Sequence, residues 1–216
     1  MCIRDRVYGL LSTLANQRVF EFDDEIALDY GENQVMAEHT YQRKLPLRPG
    51  RFKLELLVKD TISGNMGTVA IGIEIPSGTQ GRLATSSIML ARGIEPTAQD
   101  LAQAYVFGSY KIRPQVDRAF AFGDDLAFYF EAYNFQVDQA AEKPALDIKY
   151  GFADPGKLPT TYRPVTRGIT LAGDRIYVAR IVQLNNVPKG KHDLVLSITD
   201  TLSGQTAIAR APFEIR

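Results

Sequence analysis

The side chains best suited to catalysis are scarce in this chain of 216 residues, which has two histidines, one cysteine and no tryptophan. Nucleophilic catalysis needs a base beside the nucleophile, and His39 and His192 fall at non-equivalent positions of an internal repeat. The sequence lacks a Gly-x-Ser-x-Gly elbow, a zinc-type Cys or His spacing and a phosphate-binding glycine motif. It therefore predicts a protein that is not an enzyme and that uses no cofactor or metal ion.

Carboxylates cluster at residues 23–25 and at the neighbours Asp124 and Asp125. A calcium ion takes about six to eight oxygen ligands that converge from several loops. Adjacent residues of an extended chain point to opposite sides, so two neighbouring acids alone make a poor site. Calcium at Asp124, helped by a turn aspartate such as Asp60 or Asp200, is one interpretation. Hairpin capping in solvated turns is the other, and it is the one that we favour.

Aromatic residues offer a third kind of site. Tyr129 and Tyr133 alternate with Phe128 and Phe130, so they lie on the opposite face of a predicted strand, and Tyr150 falls in the next predicted strand. An exposed strip of these rings could stack on sugars or anchor a protein partner. The same rings could instead pack against a neighbouring domain or a docked segment. Joint solvent exposure of Tyr129 and Tyr133 distinguishes the two interpretations.

The motif Asp-Thr-x-Ser-Gly occurs twice, at residues 60–64 and 200–204. The two copies are 140 positions apart, and flanking residues also match at this offset. The matching pairs are Gly50 and Gly190, Leu54 and Leu194, Leu56 and Leu196, Glu74 and Glu214, and Ile75 and Ile215. An aspartate can accept hydrogen bonds from turn amides, and a glycine can take the positive φ that ends a short hairpin loop. The repeat predicts two copies of one hairpin and of one domain type, with structural turn residues Asp60, Ser63, Gly64, Asp200, Ser203 and Gly204.

The second copy has the pattern of an all-β domain. Leu126, Phe128, Phe130 and Ala132 share one face of a predicted strand. Seven such strands, separated by Gly, Pro, Asn and Asp, are predicted at residues 119–122, 126–135, 146–152, 167–171, 176–183, 191–200 and 205–215. This spacing is typical of an immunoglobulin-like β-sandwich. We expect a complete domain of this type over residues 107–216.

The first copy is predicted to be partial. Residues 7–76 suggest strands at 18–28, 34–45, 52–60 and 67–75, and the counterparts of residues 107–150 would fall before residue 11. We therefore expect a tandem of β-sandwiches whose first member is truncated at its N-terminus and exposes a sheet edge. Residues 77–106 are predicted to be a linker with one docked strand at 85–91.

Residues 1–6, Met-Cys-Ile-Arg-Asp-Arg, are similar to a translated sequencing adaptor. They have neither the cationic start nor the long apolar stretch of a signal peptide. We therefore exclude them from the predicted fold and treat Cys2 as non-native.

Several segments resemble the C-terminal β-domain region of bacterial GWxTD-domain proteins, namely residues 83–91, 94–96, 107–114, 123–126, 129–134 and 144–150 together with both hairpins. Those proteins are large extracytoplasmic proteins, found mainly in Acidobacteria, where similar modules accompany von Willebrand A-type domains. The Gly-Trp-x-Thr-Asp box itself is absent. The resemblance implies a C-terminal fragment of a periplasmic, extracellular or cell-envelope protein, with upstream domains of the same polypeptide as partners and no catalytic residue in this region.

Charge and composition exclude further classes of function. Lys and Arg number 25 and Asp and Glu also number 25, so the basic surplus of a nucleic-acid coat is missing. No apolar stretch approaches the roughly 18 residues of a transmembrane helix. We expect a non-catalytic scaffold or protein-interaction segment. A carbohydrate-binding module is the alternative, and an enzyme would need a site upstream of these residues.

Overall fold

The computed structural model describes residues 2–29, 40–76, 81–98, 105–138, 140 and 143–216. All regular elements in these ranges are β-strands, most of them paired antiparallel, which confirms the all-β prediction. The chain divides into two compact units, Met1–Gly78 and Thr79–Arg216.

Unit 1 is a four-stranded antiparallel sheet with the strand order β2-β1-β3-β4. Its strands are β1 Cys2–Thr13, β2 Arg18–Asp29, β3 Gly50–Asp60 and β4 Met66–Ile75. The exclusion of residues 1–6 from the fold is wrong for residues 2–6, which belong to β1. In the ladders Cys2 is opposite Asp29, and Arg6 is opposite Glu25 on one side and Lys59 on the other. Backbone groups make this pairing, so side-chain composition gave no sign of it.

The predicted strand at 34–45 is not seen as such. Its residues 34–39, which include His39, lie outside the described ranges, and residues 40–45 have no regular structure. Pro46 and Pro49 lack the N–H that a ladder needs, which disfavours a paired strand in the stretch after residue 45. Instead it lays Tyr41, Leu45 and Leu47 against the buried side of the sheet.

Alternate residues of the unit 1 strands form that buried side, with Val7, Leu11, Phe22, Phe52 and Leu54 at its centre. Gly9 is part of the arrangement, because a Cβ there would lie 2.2 Å from a ring carbon of Phe22. A larger residue at this position would displace the aromatic ring from the core.

Unit 2 contains fourteen of the described strands, β5 to β18. Their bounds are β5 Ala84–Thr85, β6 Met89–Pro96, β7 Val106–Phe107, β8 Tyr110–Pro114, β9 Ala119–Phe120, β10 Asp125–Tyr133, β11 Val137–Asp138, β12 Lys143–Pro144, β13 Leu146–Ala153, β14 Arg163–Pro164, β15 Ile169–Ala172, β16 Arg175–Gln183, β17 Gly190–Asp200 and β18 Thr206–Ile215. The seven strands predicted for residues 107–216 correspond to β9, β10, β13, β15, β16, β17 and β18.

Two sheets of unit 2 face each other. One has the order β15-β16-β10-β6-β8-β7, with β5 also on β10, and the other has the order β14-β13-β17-β18-β9. Their facing residues, among them Phe128, Phe130, Val178, Leu196 and Ile198, are fully buried in one hydrophobic cluster. Unit 2 is thus a β-sandwich, with the alternation predicted for β10 pointing into its core.

The prediction that residues 77–106 form a linker is wrong for their described part. Ala91 of β6 pairs with Ala127 of β10, so β6 is an internal strand of the first sheet of unit 2. Leu83 and Leu90 belong to its core. Consequently residues 107–216 are not a complete domain without the preceding strands. The docked strand predicted at 85–91 overlaps β5 and β6, but the polar residues after Ala91 gave no sign that β6 continues to Pro96 as an internal strand.

The sheet of unit 1 has the same arrangement as four strands of unit 2. The orders β2-β1-β3-β4 and β14-β13-β17-β18 correspond, and all the pairs are antiparallel. Gly50 opposite Ile75 matches Gly190 opposite Ile215, so the repeated hairpin also keeps its register. The two hairpins therefore occupy the same topological position, as the sequence repeat predicted. The tandem immunoglobulin-like assignment stays a prediction.

Candidate functional site

The turn after β17 is closed by the buried carboxylate of Asp200, which is 0% exposed. Its two oxygens accept the Ser203 hydroxyl at 2.6 Å and the N–H groups of Leu202 and Gln136 at 3.0 Å each. Burial alone would raise the pKa of Asp200, but these hydrogen bonds hold it below its usual value. Gly204 follows with φ 71°, the left-handed conformation that glycine favours.

The turn after β3 repeats this geometry nearer to solvent. Asp60 accepts the Ile62 N–H at 2.8 Å and the Ser63 hydroxyl, and Gly64 has φ 79°. The Ser63 and Ile62 hydrogen bonds hold the pKa of Asp60 below its usual value. In both turns the carboxylate is engaged by its own loop, which is what a structural turn requires.

The predicted face of Tyr129, Tyr133 and Tyr150 is not a surface. Tyr129 is 3% exposed, and its ring centroid lies 5.6 Å from that of Phe107 and 6.2 Å from that of Tyr177. Burial raises the pKa of its hydroxyl, which donates to Glu131 at 3.2 Å. Residues of β6, β7 and β8 pack against this side of β10, so Tyr129 lies in a second, smaller hydrophobic core.

The other two tyrosines are also held by the fold. Tyr133 is half-buried, and its hydroxyl donates to the Thr85 carbonyl at 3.0 Å. Tyr150 is 6% exposed, lies in the opposite sheet and packs against Phe128 at a centroid distance of 5.7 Å. The interpretation as an exposed aromatic strip is therefore wrong, and the other interpretation, in which the rings pack within the protein, agrees with the structure.

Three of the clustered acids, Asp23, Asp24 and Asp124, bind local partners. Asp124 accepts the Ala121 N–H at 2.8 Å, which closes the turn before β10. Asp23 binds the guanidinium of Arg6 at 2.6 Å, and Asp24 binds that of Arg43 at 2.7 Å. Among the described residues, no group of three or more His, Cys, Asp or Glu side chains is placed to hold a metal ion.

A groove of about 370 Å³ opens at one end of the unit 2 sandwich. Its apolar wall includes Tyr150, Phe152, Val187 and Pro188, and its polar rim includes Thr160, Thr161, Arg163, Gln183 and Asn186. His192 also lines it, with Nε2 donating to the Pro188 carbonyl at 2.7 Å. Sequence patterns gave no sign of this groove, since it is assembled from segments around β13, β14 and the β16–β17 loop.

The loop over residues 154–162 shapes the groove and is firmly tied down. A Cβ at Gly151 would lie 2.7 Å from the carbonyl oxygen of Thr161, so only glycine lets this loop cross β13 so closely. Asp193, itself 7% exposed, accepts the Gly156 N–H at 2.9 Å. Arg210 donates to the Lys157 carbonyl at 2.5 Å and lies 3.5 Å from Asp193. The groove is therefore preformed.

Unit 1 contains a different candidate, which is an apolar patch. It lies on the same side of the sheet as the core of unit 1, but its side chains are exposed to solvent. Val58, Val69 and Ile71 lie on adjoining strands and are 43%, 51% and 45% exposed. Their counterparts in unit 2 are Ile198, Ala209 and Ala211, of which Ile198 is 0% and Ala211 4% exposed. We call Val58, Val69 and Ile71 the open face of unit 1.

Comparison with models of known protein families found no match, and comparison with curated proteins found none. No helix among the described residues is long and apolar enough to cross a membrane. The resemblance to the β-domain region of GWxTD-domain proteins accordingly stays a prediction.

Proposed function

We propose that the chain is a non-catalytic scaffold segment of a larger exported bacterial protein, in which unit 1 docks to upstream domains of the same polypeptide. One observation carries the proposal, namely the open face of unit 1. A sheet that is repeated within one chain is covered by a second sheet in unit 2, whereas in unit 1 the described residues that cover it are those at 40–49, over part of its area.

Apolar side chains that are scattered singly over a surface need no explanation, whereas large contiguous apolar patches often mark interaction sites. Val58 of β3 is opposite Gly67, and Val69 of β4 is opposite Leu56, so the open face is continuous with the half-buried Leu56. Burial of these side chains by a partner contributes about 25 cal/mol per Å² of apolar surface. The open face thus supplies a physical reason for association.

Unit 2 also indicates what kind of partner fits. The covering strand β10 precedes β13 in the chain, and it directs Leu126, Phe128, Phe130 and Ala132 into the core. Since β1 of unit 1 takes the position of β13, a counterpart of β10 would come from upstream polypeptide. A strand with alternate large apolar residues is therefore the expected occupant of the open face.

The described side chains support a role without catalysis. His192 is 7% exposed, and its Nε2 is committed to a backbone carbonyl. Both Asp-Thr-x-Ser-Gly motifs direct their polar atoms into their own turns. The carbohydrate-binding alternative loses the aromatic strip on which it depended, because Tyr129 and Tyr150 are buried.

Thiol accessibility tests this proposal with a matched control. In a Cys2→Ser background, Val69→Cys places a thiol on the open face and Ile208→Cys places one on unit 2, at positions that are 51% and 54% exposed. Both thiols should react with a maleimide at similar rates in the 216-residue chain. In a longer polypeptide that also contains the proposed upstream domains, the thiol of Val69→Cys should react more slowly, on the order of tenfold, and that of Ile208→Cys should react at an unchanged rate.

Two results would contradict the proposal. Equal reactivity of the two thiols in the longer polypeptide would show that upstream domains do not cover the open face. Protection of the Val69→Cys thiol in the 216-residue chain that increases with protein concentration would instead assign the open face to a second copy.

A further inference from the structure

We propose that the groove at the end of unit 2 binds an acidic sugar, a hexuronate unit of a polysaccharide, with Arg163 as the carboxylate-binding residue. This site is separate from the open face of unit 1 and does not depend on the docking proposed for it. Its volume, about 370 Å³, falls within the usual range for small-ligand sites.

The position of Arg163 is the first reason. Arg163 is directly opposite Tyr150 in the β13–β14 ladder, so both side chains leave the same face of the sheet. Tyr150 points into the sandwich core, and Arg163 therefore extends at the core side of a sheet edge, where the groove opens. Arginine presents a planar fork of donors that matches a carboxylate.

The charge balance of the groove is the second reason. The carboxylate that lines the groove, Asp154, is bound to Lys157 at 2.9 Å, and this pairing holds its pKa below the usual value. Within the described residues, Arg163 has no ion-pair partner. The positive charge of Arg163 is thus left for a ligand, which favours an anionic over a neutral or cationic one.

The remaining lining residues fit a hydroxyl-rich ring. The side chains of Thr160, Thr161 and Asn186 are exposed at the rim and form no hydrogen bond with other described residues. Phe152 and Pro188 supply apolar wall on which the C–H face of a pyranose can rest. A carboxylate beside several hydroxyls on a ring with an apolar face is the chemistry of a hexuronate.

The experiment titrates the full 216-residue chain with trigalacturonate and follows backbone amide shifts by NMR. The methyl ester of the same trisaccharide removes the charge and keeps the ring, and trimannuronate keeps the carboxylate on a hexuronate ring with different hydroxyl stereochemistry. We expect shifts at Gly151, Thr161 and Arg163 with either acidic sugar. Binding of the methyl ester should be weaker by about tenfold.

Two variants assign the interaction to the groove. Arg163→Ala should weaken trigalacturonate binding about tenfold, whereas Arg167→Ala, an exposed arginine outside the groove, should leave it unchanged. Asn186→Ala keeps the charge and should weaken both acidic sugars less. Equal thermal stability of the variants shows that the fold is intact.

The proposal is wrong if trigalacturonate and trimannuronate produce no shifts, or if the methyl ester binds as well as the acid. It is also wrong if Arg163→Ala and Arg167→Ala bind alike. None of these outcomes bears on the open face of unit 1, which the thiol experiment tests separately.

Discussion

One four-stranded sheet appears in both units, but it has different surroundings. In unit 2 the buried side of β13, β17 and β18 meets a second sheet, and Leu196 and Ile198 are 0% exposed. In unit 1 the equivalent Leu56 is half-buried and Val58 is 43% exposed. Local sequence therefore determines the hairpin and its register, whereas burial depends on what packs against the sheet.

The side chains themselves differ where the surroundings differ. Val69 and Ile71 of unit 1 correspond to Ala209 and Ala211 of unit 2. Small residues let the second sheet of unit 2 approach closely, since interiors are packed to near-crystalline density. A partner of unit 1 must accommodate the larger pair, so it cannot copy the second sheet of unit 2 side chain for side chain.

The largest expected difference between the copies is at one equivalent core position. Ile198→Ala should lower the free energy of unfolding of unit 2 by about 3–4 kcal/mol, because it leaves a cavity in a closed core. Val58→Ala should cost unit 1 below about 1 kcal/mol, because water already reaches this side chain.

Hydrogen exchange followed by mass spectrometry measures both effects in the full chain, through peptides from β17 and from β3. The distant peptides of the same variant are the internal control. If both substitutions lower the free energy of unfolding by the same amount, then Val58 is buried in solution. The two units would then differ less in core burial than the exposed fractions of Val58 and Ile198 indicate.

The next largest difference concerns the turn aspartates. Asp200→Ala should lower the stability of unit 2 by about 2 kcal/mol, since it removes a buried carboxylate and leaves the partly buried N–H groups of Gln136 and Leu202 without acceptors. Asp60→Ala should have a smaller effect, because water can replace the carboxylate at this exposed turn. Urea unfolding compares the two variants, and Asp200→Asn, which retains one acceptor oxygen, should recover part of the loss.

A larger effect at Asp60 than at Asp200 would contradict this order. So would a variant Asp200→Ala that unfolds normally but has lost binding to a partner. In that case the Asp-Thr-x-Ser-Gly turn would be a recognition loop.

Acid should remove the contribution of Asp200. Its pKa in the folded state lies below the value of about 3.9 for an unfolded aspartate. A lowered pKa stabilises the fold fully above the unfolded value, and this stabilisation is lost as the pH falls through the folded one. The unfolding free energies of the parent protein and Asp200→Ala should therefore converge below about pH 4. A constant gap between pH 7 and pH 3 would show that packing, not ionisation, causes the effect.

Sequence patterns predicted the strands of unit 2 well where one face alternates cleanly. Leu126, Phe128 and Phe130 defined β10, and the repeated glycines and aspartates defined the hairpin turns. These features depend on local chemistry, that is, on side-chain alternation and on backbone conformations that few residues adopt.

The pattern does not predict which segments pack together. It assigns β6 to a linker, although Ala91 is fully buried between β10 and β8. It places Tyr129 on the face opposite Phe128 and Phe130, but it cannot decide whether that face is exposed or packed. A central strand of a sandwich can be buried on both faces, and single-strand periodicity cannot show the second one.

The smallest expected difference is in the stability cost of substituting the turn glycines. It tests whether the two hairpin turns have the same local energetics. Gly64 and Gly204 have φ values of 79° and 71°, and no atom lies within 4 Å of a Cβ built on either one. Backbone strain is then the only cost of an added methyl group, and it does not depend on the covering sheet. Gly64→Ala and Gly204→Ala should each lower stability by about 1 kcal/mol.

Hydrogen exchange in the peptides that span each turn measures the two losses in one chain. Equal losses of stability mean that the turn conformation does not depend on whether a second sheet covers the hairpin. A clearly larger loss at Gly204 would mean that the second sheet of unit 2 also constrains the turn, and the separation of local from packing effects would fail at this point.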